Sequence, residues 1–360
     1  MNIQPYQGGH SKLDGVAYAA KLSANEGALG ASPRAQEAYR TVAVGLHRYP
    51  DGGSVDLRAA LAERHSLDAD RIVCGCGSDE LIGLLIHAFA GEGDEVVYSQ
   101  YGFAMYPIYA HGAGATPVEA PAKGLATDVD ALLAAVTDKT RLVFIANPNN
   151  PTGTMMPKAE VKRLRDGLRD DIILVIDAAY AEFVTDDEYS CGIDLVDAAQ
   201  ANGTHNTVMT RTFSKIYGLG GLRVGWCYAP EAIVDVLNRV RAPFNVNAAA
   251  QAAATAAVQD VEFFETCRAH NTKWRSWLTQ EICDLGLKVT QSFGNFILVH
   301  FPTGTVPKAQ EALAGQAVIV RPVVSYGLPD ALRITVGTED ENRRIVAGLA
   351  DFAQEHLKKG

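Results

Sequence analysis

The chain has 360 residues, 48% of them hydrophobic and 21% charged, with a formal net charge of −10. That length exceeds one ordinary small core and predicts a large domain with a smaller companion, while the acidic balance argues against nucleic acid or an anionic membrane as main partner. No apolar run approaches the roughly 20 residues of a membrane span, and residues 1–9 lack the basic-then-apolar layout of a signal peptide, so the cytoplasm is the expected compartment.

In chain order, apolar runs of strand length at 71–74, 95–99, 142–146, 172–176, 207–211 and 223–228 alternate with helix-period stretches such as 80–90, 159–168 and 193–201. Near-continuous hydrophobic strands separated by helices predict a mostly parallel sheet sandwiched by helices. Ligands of such sheets collect at the carboxyl ends of the strands. Beyond about residue 241 the texture changes. An alanine-rich stretch at 247–258 runs into a long amphipathic helix at 261–285, followed by short strands at 295–299 and 332–336 and a closing helix at 339–357. The expected class is α/β, with a large cofactor-binding domain over 46–243. A smaller α+β domain is expected from the N-terminal arm, 1–45, together with 244–360. The six cysteines are too scattered for a disulfide framework, and Cys74 and Cys76 have the wrong spacing for zinc. Reduced thiols and no metal site are expected.

Several side chains fall where those strands end. Gly75-Cys76-Gly77-Ser78-Asp79-Glu80-Leu81 joins a strand to a helix. Its glycines allow close backbone approach, and the free N–H groups of a helix start attract an anion. Ser78 would equally serve as an ordinary N-cap. The segment is neither a Walker loop nor a GxGxxG fingerprint, which speaks against nucleotides. Asp177 closes a run of five aliphatic residues, an expensive place for an unpaired carboxylate, and Tyr180 follows it. Lys215 ends the run TFSK, with Arg223 eight residues later. Taken singly these have plainer readings: a solvated lysine, a strand-end core acid and, for Asn150 in NPNNPTG, a turn. Amine, buried acid, phenol and guanidinium at these intervals are what pyridoxal phosphate requires. The lysine forms a Schiff base with the aldehyde, the acid holds the pyridinium and the arginine holds the phosphate. Lys215 must be uncharged to attack an aldehyde, so its setting must lower its pKa.

NPNNPTG, DAAY from Asp177, and TFSK with Arg223 together resemble the aspartate-aminotransferase superfamily of pyridoxal-phosphate enzymes, fold type I. The resemblance extends over nearly the whole chain to the histidinol-phosphate aminotransferase family. Its carriers are PYQ at 5–7, KLSANEGALGASP from Lys21, HRYPDGG from His47, YGFAMYP from Tyr101, GNFILV from Gly294 and VIVRPVVSYGLPDALRITVGT from Val318. The resemblance implies that Lys215 is both the Schiff-base lysine and a proton shuttle, that Asp177 pairs with the pyridine nitrogen, and that Asn150 and Tyr180 face the ring's phenolate oxygen. It implies further that Tyr101 stacks on the ring and that Gly77, Ser78, Asp79, Ser214 and Arg223 hold the cofactor phosphate. Tyr49 is implied to reach the cofactor phosphate of a neighbouring subunit, which predicts a homodimer with shared active sites. Two departures stand out: Ala178 where an acid is usual, and Gly27-Ala28 where relatives more often have Asn-Pro.

Arg321 and Arg333 flank the SYGLPDAL turn. One arginine suffices for an α-carboxylate, whereas a phosphate dianion can use two. In the resembling family both contact the substrate phosphate with a tyrosine matching Tyr6, and Asn25 belongs to the same substrate-binding set. The expected activity is transfer of an amino group from L-histidinol phosphate to 2-oxoglutarate, giving imidazole acetol phosphate and glutamate in histidine biosynthesis. Two alternatives stay open: an aromatic amino-acid aminotransferase, and a lyase resembling threonine-phosphate decarboxylase. A non-catalytic cofactor-fold protein is disfavoured by the intact Lys215.

Overall fold

The strand Thr140–Ala146 shows how the larger sheet is built. Leu142 and Phe144 face one helical layer and Val143 and Ile145 the other, all inaccessible to solvent or nearly so. This is the two-residue period of a strand covered on both faces. In the computed structural model, which describes Ile3, Lys12 and residues 18–357, seven strands run in the order Ile72–Gly75, Gly225–Tyr228, Thr207–Thr212, Ile173–Asp177, Thr140–Ala146, Glu95–Ser99 and Thr116–Ala120. Gly225–Tyr228 is antiparallel to both of its neighbours, and the remaining pairings are parallel. Helix Ser78–Phe89 covers one face with Leu81, Ile82, Leu85 and Ile86, and helix Lys158–Gly167 covers the other with Val161 and Leu164. Each of these side chains contributes about 1.5–3 kcal/mol by leaving water.

Two features depart from the sequence expectation. The edge strand Thr116–Ala120 is half-exposed, so its TPVEA sequence carries no apolar run to reveal it. The run expected as a strand from residue 223 begins only at Gly225, because Arg223 has φ 55, a left-handed backbone that ends pairing and redirects the side chain.

A second, antiparallel sheet has the order Arg321–Val323, Leu328–Thr335, Phe296–His300 and Lys288–Thr290. Leu332 and Ile334 face a core closed by the helices Val261–Asp284 and Glu339–His356. By the same period of two, Arg333 and Thr335 face away from that core, towards the larger sheet. The short strand Ala20–Lys21 pairs with Val318–Ile319 and ties the N-terminal arm to this unit. The alanine-rich helix Ala248–Gln259 packs instead into the cluster around Leu57, Leu61 and Trp226. Its small side chains let the helices Pro33–Val42 and Val55–His65 lie against it. Among the described residues, no helix is long and apolar enough to cross a membrane.

Candidate active site

The carboxyl ends of five like-directed strands meet at one edge of the large sheet, and their loops enclose a cavity of about 350 Å³. Ser78, Asp79, Asn150, Asp177, Tyr180, Ser214, Lys215 and Arg223 all line it. Thus eight of the residues expected from sequence converge, although they are spread from position 78 to position 223.

Lys215 follows the strand Thr207–Thr212 and is half-buried; its Nζ donates to the Ala24 carbonyl at 3.3 Å and lies 5.7 Å from the centre of the Tyr180 ring. Burial, then the nearby Arg333 guanidinium, lowers its pKa to about 8. The amine is therefore available as a nucleophile more than two pH units below an ordinary lysine. Capture of an added aromatic aldehyde by the cofactor-free protein is expected to accelerate through a midpoint near pH 8. A midpoint near the ordinary lysine value, read by stopped-flow absorbance, would show that the amine is solvated. Gly27 packs on this lysine loop. A Cβ there would come within 2.8 Å of the Lys215 carbonyl oxygen, which gives the Gly27-Ala28 departure a steric reason.

Asp177 is buried at the end of its strand. Its Oδ2 accepts the Tyr106 hydroxyl at 2.9 Å and its Oδ1 accepts that of Thr210 at 3.4 Å. Burial raises its pKa to about 6, and the hydrogen bonds from Tyr106, Ala179 and Thr210 oppose that rise. Among the described residues, none of the ion pairs includes Asp177. A buried carboxylate served only by neutral donors suits a cationic ring nitrogen. Neither Tyr106 nor Thr210 was among the residues expected from sequence. Thr210 had a signal, since it lies directly opposite Asp177 in the sheet register. Tyr106 had none.

The helix Ser78–Phe89 begins at the cavity wall. Its cap position is Gly77, at φ 87, and no side chain caps it, so Ser78 is not the N-cap. The first N–H groups are thus left to an anion. Glycine suits position 77 because φ 87 lies in the left-handed region, and a Cβ there would also displace Arg223 Nη2, 2.7 Å away, from the cup. Arg223 Nη1 donates to Ser214 Oγ at 3.4 Å and to the Gly220 carbonyl at 3.1 Å, and Thr212 donates to Ser214 at 3.0 Å. Helix start, two hydroxyls and a guanidinium form a cup of the right charge and size for a phosphate monoester.

The NPNNPTG loop is pinned by its other asparagines. Asn147 exchanges hydrogen bonds with the Met156 backbone, and Asn149 donates to Thr152 and to the Tyr101 carbonyl. Asn150 faces the cavity, where its Oδ1 accepts from Arg333 Nη1. Arg333 Nη2 donates to the Ser23 carbonyl at 2.7 Å. Arg321 lies directly opposite Arg333 in the antiparallel register. The pairing puts both side chains on the same face of the sheet.

The remaining expectations fall elsewhere. Tyr101 is half-buried at φ 61, and on its side Phe103 and Met105 supply the cavity wall. Asn25 donates to the Tyr180 hydroxyl at 2.9 Å and accepts from Thr335. Burial pushes the Tyr180 phenol up to about 12, so it is an un-ionised donor. Tyr49 lies outside the cavity, 83% exposed and stacked on Phe244 at 4.7 Å. Tyr6 is outside the described residues.

A family model described as aminotransferase class I and II matches residues 19–349. The histidinol-phosphate aminotransferase of Paramagnetospirillum magneticum is 56% identical over 355 residues, covering 98% of this chain and 96% of the relative. That of Rhodospirillum rubrum is also 56% identical, covering 98% and 95%. Among solved structures, the Sinorhizobium meliloti histidinol-phosphate aminotransferase in complex with pyridoxal-5'-phosphate superposes with a TM-score of 0.85. It is 28% identical and the match covers 94% of this chain and 91% of that one.

Proposed function

The chain belongs to the class I and II aminotransferases, and from that premise we propose that it moves an amino group between L-histidinol phosphate and 2-oxoglutarate, using pyridoxal phosphate, as a step of histidine biosynthesis in the cytoplasm. The observation that carries the substrate choice is the cross-strand pair Arg321 and Arg333, with Arg333 bonded to the cavity residue Asn150. A phosphate dianion has oxygens enough to accept from two guanidinium groups presented on one face of a sheet, whereas one arginine suffices for a carboxylate.

Bound pyridoxal phosphate supplies an aldehyde that condenses with primary amines and a ring that draws electrons from the amine-bearing carbon. The residues divide the rest. Ser78, Asp79, Gly77, Ser214 and Arg223 hold the phosphate, and Asp177 keeps the ring nitrogen protonated. Tyr180 donates from its hydroxyl and Asn150 from its amide NH₂, the Asn150 oxygen being engaged by Arg333. Asn25 sets the Tyr180 hydroxyl, and Tyr101 with Phe103 bounds the ring face. Lys215 Nζ is the base that takes the proton from the substrate's amine-bearing carbon and carries it across the cavity. Arg321, Arg333 and Tyr6 bind the substrate phosphate, and the same arginines accept the 2-oxoglutarate carboxylate in the second half-reaction.

In this reading residues 46–243 form the cofactor-binding domain, and 1–45 with 244–360 form the closing domain. Helix Ala248–Gln259, counted by this division with the closing domain, packs on Leu57, Leu61 and Trp226 of the cofactor-binding domain. The active unit is a homodimer, a reading supported by the exposed large hydrophobics Tyr39, Val44, Leu46, Tyr49 and Phe244, of which Tyr49 stacks on Phe244. Tyr49 completes the phosphate cup of a second copy.

Purified holoenzyme mixed separately with histidinol phosphate, phenylalanine and threonine phosphate tests the assignment through the cofactor's visible absorbance. Fast loss of the band with histidinol phosphate and slower loss with phenylalanine is expected. Reaction with phenylalanine alone would move the enzyme to aromatic metabolism, and release of carbon dioxide from threonine phosphate would make it a lyase.

A further inference from the structure

We propose that Tyr106 is a positioning residue for the reaction: its hydroxyl donates to Asp177 and holds that carboxylate ionised and aimed at the cofactor's ring nitrogen. The inference rests on the reading that Asp177 pairs with that nitrogen.

Tyr106 lies in the helix Met105–Gly112, fully buried, with its hydroxyl 2.9 Å from Asp177 Oδ2. Its ring stacks on Phe144 at 4.8 Å and meets Phe103 and Tyr98 edge-on at 5.8 and 6.4 Å. Packed in this way, the ring has one orientation and the hydroxyl one address. Burial raises the phenol's own pKa well above its ordinary value, so the hydroxyl is a donor and the carboxylate the acceptor.

The charged and titratable groups around Asp177 are Tyr106, Asp79, Lys215, Tyr180 and Tyr189. Among the described side chains that donate to its oxygens, Tyr106 does so at 2.9 Å and Thr210 at 3.4 Å, near the limit of a hydrogen bond. Burial and the neighbouring Asp79 carboxylate both favour the protonated acid. A protonated Asp177 could not pair with a protonated ring nitrogen. A lysine or arginine in the place of Tyr106 would hold the acid ionised but would compete with the ring for it. A phenol stabilises the anion without neutralising it, and this is the property the site needs.

The test is binding of pyridoxal phosphate to cofactor-free Tyr106→Phe and unaltered protein by equilibrium dialysis from about pH 6 to pH 9. Lys215 and the phosphate titrate in both proteins, so the ratio of the two affinities isolates Asp177. The expected result is about a tenfold weaker affinity for Tyr106→Phe at the acid end, narrowing as alkali ionises Asp177 in both. No loss, or a loss equal at every pH, would overturn the proposal, because a packing defect has no reason to titrate. Asp177→Asn measured in parallel separates the two layers. If it weakens binding while Tyr106→Phe does not, only the role of Tyr106 falls. If neither changes binding, the pairing of Asp177 with the ring nitrogen falls and takes this inference with it. Should Tyr106→Phe fail to fold, as judged by circular dichroism, 3-fluorotyrosine at position 106 keeps the shape and strengthens the donor. It is expected to tighten binding at the acid end, and unchanged or weaker binding there would overturn the proposal.

Discussion

Lys215→Ala is expected to lower turnover by roughly 10⁴-fold or more while leaving a folded protein that still binds pyridoxal phosphate. The magnitude follows from one side chain serving as both nucleophile and proton carrier, since a positioned acid–base group alone contributes about 10²–10⁴-fold. Retained binding follows from the phosphate cup of Arg223, Ser214 and the uncapped start of helix Ser78–Phe89, none of which depends on the Lys215 amine. Lys215→Arg should be as inactive, because a guanidinium stays charged at any working pH and cannot add to an aldehyde. Dialysis without denaturant should strip the cofactor from either variant, which is covalently retained in the unaltered protein. Turnover by Lys215→Ala with normal covalent retention would end the assignment of this residue.

The second large effect concerns the facing arginines, and it differs between them. Arg333→Ala is expected to cost about 10²–10³-fold in kcat/KM for histidinol phosphate and for 2-oxoglutarate alike. Truncating one partner of a buried charge pair costs about 2–5 kcal/mol, and Arg333 also holds Asn150 and the Ser23 carbonyl. Because Arg333 is the second cause of the low Lys215 pKa, after burial, its removal should also move the aldehyde-capture midpoint upward from about 8. Arg321→Ala should weaken histidinol phosphate by a similar factor while sparing phenylalanine and the midpoint. Equal loss of both amines in Arg321→Ala would refute the phosphate assignment.

The Arg321–Arg333 register illustrates why substrate choice was harder to read than cofactor choice. The cofactor residues sit in short motifs at strand ends, where a buried acid, a lysine among glycines and an asparagine turn are unusual enough together to carry meaning. Arg321 and Arg333 are ordinary residues in sequence, and only antiparallel pairing of Arg321–Val323 with Leu328–Thr335 sets them face to face. The edge strand Thr116–Ala120 was hidden for a related reason, since a half-exposed strand has no apolar run. By residue type Ser78 suited an N-cap as well as an anion site, and only the backbone, which puts Gly77 at the cap, leaves the helix start to an anion.

By itself the order of residues determined the parallel core, because strands buried on both faces must be continuously apolar, and it determined the chemistry at the strand ends. The tertiary structure alone decided what lies opposite what. It brought Tyr106 to Asp177 across 71 positions, turned Arg223 into the cavity through a left-handed backbone, and assigned Asn25 to the Tyr180 hydroxyl. Such contacts depend on packing between elements distant in the chain, and local sequence carries no record of a partner that only the closed fold supplies.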